Sequence, residues 1–165
     1  VELFVPESKA RQIWEIFVED GAKPCGLGSR DLLRLEAGLL LHGNDMDTTI
    51  NPFEAGLDRF VYCDKDDYLA GPALREIRSE GPIKKLLGLY IIGNRVARSG
   101  YPLMHENRQV GHITSGTYSP TLDRNIALGY VQTDLIDNHK GLKCDIRGQL
   151  ADVEVTALPF YSRNT

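Results

Sequence analysis

"GHITSGTYSPTLDRNIALGYV", Gly111 to Val131, is the stretch that decides the fold class. Two apolar, strand-like runs, one through Ile113 and one from Asn125 to Val131, flank a turn in which Ser119-Pro120 favours turn initiation. Working outward, the same texture holds from Lys85 onward: "KLLGLYII", "VARSGYPLM", "RQVGHITSG", "NIALGYVQ" and "LKCDIRGQLADVEVTAL". Turn signals separate these runs at Gly93-Asn94, Ser99-Gly100, Asn107, Asn138 to Gly141 and Arg147-Gly148. Alternation is clearest at Val153, Val155 and Ala157, set against Cys144 and Ile146 across the Arg147-Gly148 hairpin. Short strands at this spacing point to a small barrel or sandwich. Gly88, Gly111 and Gly116 fit bends or close backbone approach inside it, and no phosphate-cradling GxGxxG or Walker pattern occurs.

Before residue 80 the pattern differs. "VELFVP" reads as a strand closed by Pro6. "ESKARQIWEIFVEDG" places Ala10, Ile13, Trp14 and Phe17 on one helical stripe, which assigns Trp14 and Phe17 to the core, with Ser8 as N-cap and Gly21 as stop. A second helix is predicted from about Ser29 to Ala37, with Gly38 at its exit. A turn at Asn51-Pro52 leads to a short strand near Phe60 to Cys63, and Gly71 to Gly81 makes a glycine-bounded helix. The expected fold class is therefore α+β, with an α+β segment over residues 1–80 and an antiparallel β-domain over 81–165.

The 165 residues are 42% hydrophobic, enough for an ordinary core, and 19 basic against 23 acidic side chains give a net charge of −4. That balance excludes a general nucleic-acid surface. No apolar run approaches the ~18 to 20 residues that span a bilayer, so no membrane partner is expected. Cys25, Cys63 and Cys144 lie far apart in an odd number, the pattern of reduced thiols and not of a disulfide frame. His42, His105, His112 and His139 lack metal-ligand spacing, so no metal is expected. Opening on Val1 in a strand pattern, the sequence reads as a piece of a longer polypeptide.

Three motifs in order carry a resemblance. "CGLGSRDLLRLEAGLLLHGNDMD" (Cys25 to Asp47) is similar to the signature helix of the glycine cleavage T-protein family, the aminomethyltransferases. "GHITSGTYSPTLDRNIALGYV" resembles the family's second signature, and "LPFYSRNT" its closing PFYxR. The resemblance implies a folate-binding α+β portion of partly ferredoxin-like character, followed by a C-terminal β-barrel. It implies transfer of a one-carbon unit from an aminomethyl-lipoyl carrier, the H protein, to tetrahydrofolate, with release of ammonia. The pterin-contacting Glu and the catalytic acid of the family lie upstream of the "VELFVP" position. On this reading no catalytic residue lies within these 165, and the chain alone is expected to be inactive. A cytoplasmic location, or the mitochondrial matrix in a eukaryote, goes with the family.

Residue by residue, Arg30 matches the family's folate-contacting Arg in the RD pair, and a forked, permanently charged guanidinium suits a pterin edge or a carboxylate. Arg163 resembles a C-terminal Arg that meets folate in some members. Arg34 and Glu36 read as the wet, paired side of the helix. Asn44, Asp45 and Asp47 read as turn residues, with Asp45 also a candidate cavity-lining residue beside Tyr118. His42 stands where the family usually has Tyr, which argues against a shared proton-transfer role. Two other functions stay open: the folate module of a sarcosine- or dimethylglycine-oxidising flavoprotein, and a non-catalytic folate-binding protein of iron–sulfur maintenance. Against the second, no KGCYxGQE motif is present.

Overall fold

The computed structural model describes residues 2–65, 68–137 and 139–163. The chain divides into two compact units, Val1–Asp31 and Leu32–Thr165. In the first, residues 2–6 form no strand and are exposed, against the expectation for "VELFV". A strand needs a partner edge for its N–H and C=O groups, and residues 2–6 pair with none of the described strands. Helix α1 (Glu7–Glu19) follows, N-capped by Pro6 and not by Ser8, and it ends at Gly21 with φ +95°. It buries no residue: Trp14 and Phe17 are 58% and 46% exposed, correcting their assignment to the core. The helix forms with the expected apolar stripe, but a stripe becomes core only where something covers it.

Helix α2 (Leu27–Glu36) begins in the first unit and ends in the second, with Gly38 at φ +66° beyond it. Within the second unit, the strand expected near Phe60–Cys63 is absent; Asp58–Phe60 instead make a 3-10 turn. Helix α3 (Gly71–Glu80) carries Pro at its first turn and stops at Gly81, φ +80°.

The strands are β1 (Lys84–Ile91), β2 (Pro102–His105), β3 (Arg108–Ser119), β4 (Arg124–Gln132), β5 (Lys143–Asp145) and β6 (Leu150–Thr156). They close into an antiparallel barrel in the order β1-β4-β3-β2-β5-β6. Closure removes the exposed edges that an open sheet of this size would carry. The run "VARSGYPLM" is only partly strand: Val96 to Tyr101 turns through Gly100, φ +86°, before β2 starts. Tight hairpins sit at Glu106-Asn107 and Arg147-Gly148, where both central residues have positive φ, as a type I′ turn requires.

Alternation along the strands builds two apolar layers. Leu89, Ile91, Leu103, Ile113, Ala127 and Val131 belong to the cluster that fills the barrel. Ile126 and Leu128, one residue out of phase on β4, face outward and pack with Leu35 and Phe160. Seven consecutive residues of β4, Asn125 to Val131, are buried because both of its faces are covered. Each fully buried Leu or Ile contributes about 1.5–3 kcal/mol.

Gly111 and Gly116 mark the closest backbone approaches. A Cβ on Gly111 would stand 1.9 Å from the Tyr130 carbonyl oxygen, and one on Gly116 2.4 Å from that of Ala97.

Candidate functional site

The outer wall of the barrel, formed by β1, β4 and β3, receives the end of the signature helix. What prepares it is a bulge. On β3 Ile113 pairs with Gly129 and Ser115 with Leu128, leaving Thr114 as the extra residue. Ile113 stays with the interior cluster while Thr114 and Ser115 both serve the outer wall. Three successive side chains are thus buried, two of them hydroxylated.

Those hydroxyls meet the loop after α2. Arg34 Nη1 donates to Asp45 Oδ2 at 2.5 Å, and Arg34 Nη2 donates to Ser115 Oγ at 2.8 Å. Thr114 Oγ1 donates to the other carboxylate oxygen of Asp45 at 2.6 Å, and the Leu41 N–H to Oδ2 at 2.9 Å. Tyr130 Oη donates to the Asp45 carbonyl at 2.8 Å. Asp45 is 0% exposed, so the ion pair lies out of water. A second anchor is Glu36, 3% exposed, whose carboxylate accepts from Ser119 Oγ at 2.5 Å. Its carbonyl takes the Tyr161 N–H at 2.9 Å, tying in the C-terminal segment.

This corrects the reading of Arg34 and Glu36 as a wet, paired helix face. Each is turned into the barrel wall: Arg34 pairs with Asp45, and Glu36 accepts from Ser119. Asp45 is no ordinary turn residue either, since its two carboxylate oxygens are held by Arg34, Thr114 and Leu41. Asp47 does carry turn chemistry: its carboxylate accepts the Thr49 N–H and Oγ1, both at 2.7 Å, and the hydroxyl bond first of all holds its pKa below 3.8. Among the described residues no buried side-chain nitrogen or oxygen lacks a hydrogen-bond partner. A network so completely satisfied rigidifies the helix end against the barrel wall.

Around it, burial first and then the nearby carboxylates push the Tyr130 phenol up, so it stays a donor at neutral pH. Burial and then Lys84 lower the His112 imidazole, whose ring lies 6.0 Å from that of Tyr130. His42 is exposed.

Of the four residues singled out from the sequence, Asp45 is fully buried and Arg30, Arg163 and Tyr118 are exposed. Arg30 is exposed within Val1–Asp31, at the close of the first turn of α2, with its own N–H on the Gly26 carbonyl at 3.3 Å. Arg163 is exposed in the C-terminal segment. Tyr118 is 44% exposed and donates to Asp123 at 2.5 Å, the bond that chiefly raises its pKa. It lines a groove of about 720 Å³ with Arg124, Asn125 and Glu154; Asp45, fully buried, is not among that groove's residues. The locking hydroxyls Thr114 and Ser115 were not singled out from the sequence. Their partners, Asp45 and Arg34, lie 69 and 81 residues away, and a Thr-Ser pair in a strand gives no local sign of them. No group of three or more potential metal ligands occurs among the described residues. No described helix is long and apolar enough to cross a membrane.

A helical segment whose polar end is keyed into the bulged wall of a closed six-stranded barrel defines a class: α+β proteins finished by a small antiparallel barrel domain. Known proteins specify it further. Residues 84–162 match the glycine cleavage T-protein C-terminal barrel domain, and residues 1–65 match the GCVT N-terminal domain. Between them these two models take in most of the chain, which belongs to the glycine cleavage T-protein family. Among its relatives are aminomethyltransferases of Prochlorococcus marinus (strain MIT 9313), 44% identical over 98% of this chain and 44% of that protein, and of Synechococcus sp. (strain WH7803), 45% identical over the same shares. The glycine cleavage system aminomethyltransferase T of Bartonella henselae has the same fold, with a TM-score of 0.87 and 31% identity over 95% of this chain and 45% of that one. The chain therefore spans less than half the length of these relatives.

Proposed function

We propose that these residues serve an aminomethyltransferase of the glycine cleavage system. It takes the aminomethyl group from a lipoyl carrier, the H protein, releases ammonia and passes the one-carbon unit to tetrahydrofolate as methylenetetrahydrofolate. The relatives that cover 98% of the chain bear the name aminomethyltransferase, which supports the reaction class. Residues 1–80 are read as the end of the folate-binding domain and 81–165 as the barrel domain. Relatives from bacteria favour a cytoplasmic setting.

The observation that carries the ligand assignment is the contrast between two arginines one turn apart. Arg34 is engaged by Asp45 and Ser115 in the barrel wall. Arg30 is exposed and, among the described residues, in no ion pair, so its five donors remain for a planar ligand edge or a carboxylate. Arg163 is assigned the same kind of role from the C-terminal segment, while Asp45 is assigned to architecture.

Assaying the whole encoded protein with aminomethylated lipoyl carrier and tetrahydrofolate tests the reaction. Catalysed methylenetetrahydrofolate formation is expected; ammonia release that does not depend on folate would remove the assignment.

A further inference from the structure

We propose that the groove between the Arg98 turn and the Arg147 hairpin binds a multiply charged anion carrying two or more carboxylate or phosphate groups. The groove, of about 440 Å³, is lined by Arg95, Arg98, Tyr101, Arg147 and Gln149 with apolar neighbours, and no acidic residue contributes to it. In a chain whose net charge is −4, three guanidiniums around one concavity run against the overall balance. Among the described residues, none of the three forms an ion pair. The nearest acid in the sequence, Asp145, does not line the groove, and one of its carboxylate oxygens accepts the Gly148 N–H at 2.6 Å.

Two rigid turns hold the groove. Residues 98–101 form a turn closed by the Tyr101 N–H on the Arg98 carbonyl at 3.2 Å, with Gly100 at φ +86°. That turn is pinned to β3, since Gly100 N–H donates to the Ile113 carbonyl and Ile113 N–H to the Tyr101 carbonyl, both at 2.8 Å. Opposite it, Ile146 and Gln149 exchange backbone bonds around Arg147-Gly148. Arg147 Nε donates to Tyr101 Oη at 3.1 Å, which links the two turns and orients one guanidinium. Arg98 Nη1 reaches the Gly116 carbonyl at 3.4 Å.

Arg147 itself has φ +56°, in the left-handed region where Gly or Asn would be accommodated at lower cost. The forked donors of Arg bind carboxylate and phosphate oxygens in pairs, so an anion with several such groups engages the three heads together. The groove lies past Ile91, which pairs with Val153, and hence at the opposite end of β1 from Lys84. The inference does not depend on the folate reading.

Titrating the full chain at low ionic strength with tripolyphosphate, and separately with tetraglutamate, tests it. Amide resonances over residues 95–101 and 146–149 should move with at least one probe. Arg147→Gly and Arg98→Gln should each weaken binding about fivefold, the upper range for an exposed ion pair, and the effect should fade with salt. Arg78→Gln, on α3, should change nothing. Arg147→Gly should also melt no lower than the wild type, because Gly suits that backbone; Arg98→Gln keeps the test independent of this. Response to tripolyphosphate alone identifies a phosphate ligand, to tetraglutamate alone a carboxylate ligand, and to both a general polyanion site. Unchanged affinity in both variants, equal weakening by Arg78→Gln, or no binding of either probe would overturn the proposal.

Discussion

At the residue scale the decisive fact is that the signature helix carries two arginines with opposite fates. Arg34 is held by a fully buried carboxylate, and removing one partner of such a pair strands the other without water. Arg34→Ala is therefore expected to destabilise the protein by about 3–5 kcal/mol in urea unfolding, whereas the double change Arg34→Met with Asp45→Leu should recover much of the loss. A double variant no more stable than the single one would mean that the pair does more than satisfy itself. Asp47 allows a test of charge. Its pKa is depressed by the Thr49 hydroxyl and N–H, so the folded state favours the carboxylate. Stability from this group is present above the unfolded pKa near 3.9 and is lost as pH falls through the lower folded value. NMR titration should give Asp47 a midpoint below 3.8, and Thr49→Val should raise it. Among the thiols, burial pushes Cys144 up to about 12 while Cys25 is exposed. Native alkylation near pH 8 should then mark Cys25 and spare Cys144 until the barrel unfolds.

At the element scale, β3 does the most to join the parts of the second unit. Its bulge turns Thr114 and Ser115 to the outer wall without losing Ile113 from the interior. Its glycines let neighbouring backbone come closer than any side chain permits, so Gly111→Ala should cost about 2 kcal/mol or more, read as a fall in the urea midpoint. Close approach at Gly88, Gly111 and Gly116 was legible in the sequence, as were the hairpins at Asn107 and Arg147-Gly148, because turn chemistry is local. The register shift was not legible: a bulge is defined by a partner strand, and "ITSG" alone does not say which of its residues is supernumerary. The strand expected at "VELFV" failed for a related reason. Apolar, β-branched composition describes a residue's preference, while strand formation requires an available edge.

At the scale of the whole molecule, composition and periodicity were enough for a small barrel or sandwich preceded by helices, and the ordered motifs were enough for the family and hence for the barrel. They misjudged which polar residues are buried. Arg34, Glu36 and Asp45 look like solvated charges because helical spacing compares each only with its near neighbours, whereas their partners Ser115, Ser119 and Thr114 lie some seventy to eighty residues along the chain. The signature helix thus divides into a lock, Arg34 with Glu36, and an exposed arginine, Arg30, proposed above to meet the ligand. Thermal unfolding with and without tetrahydrofolate tests that separation in one measurement. Ligand at a hundredfold excess over Kd stabilises a binding-competent protein by about 2.7 kcal/mol. Arg30→Ala in the full-length protein should melt like the wild type without ligand, since Ala suits an exposed helix position, yet lose most of the folate-induced rise. An Arg30→Ala protein that melts lower without ligand, or that keeps the full rise with it, would contradict the account.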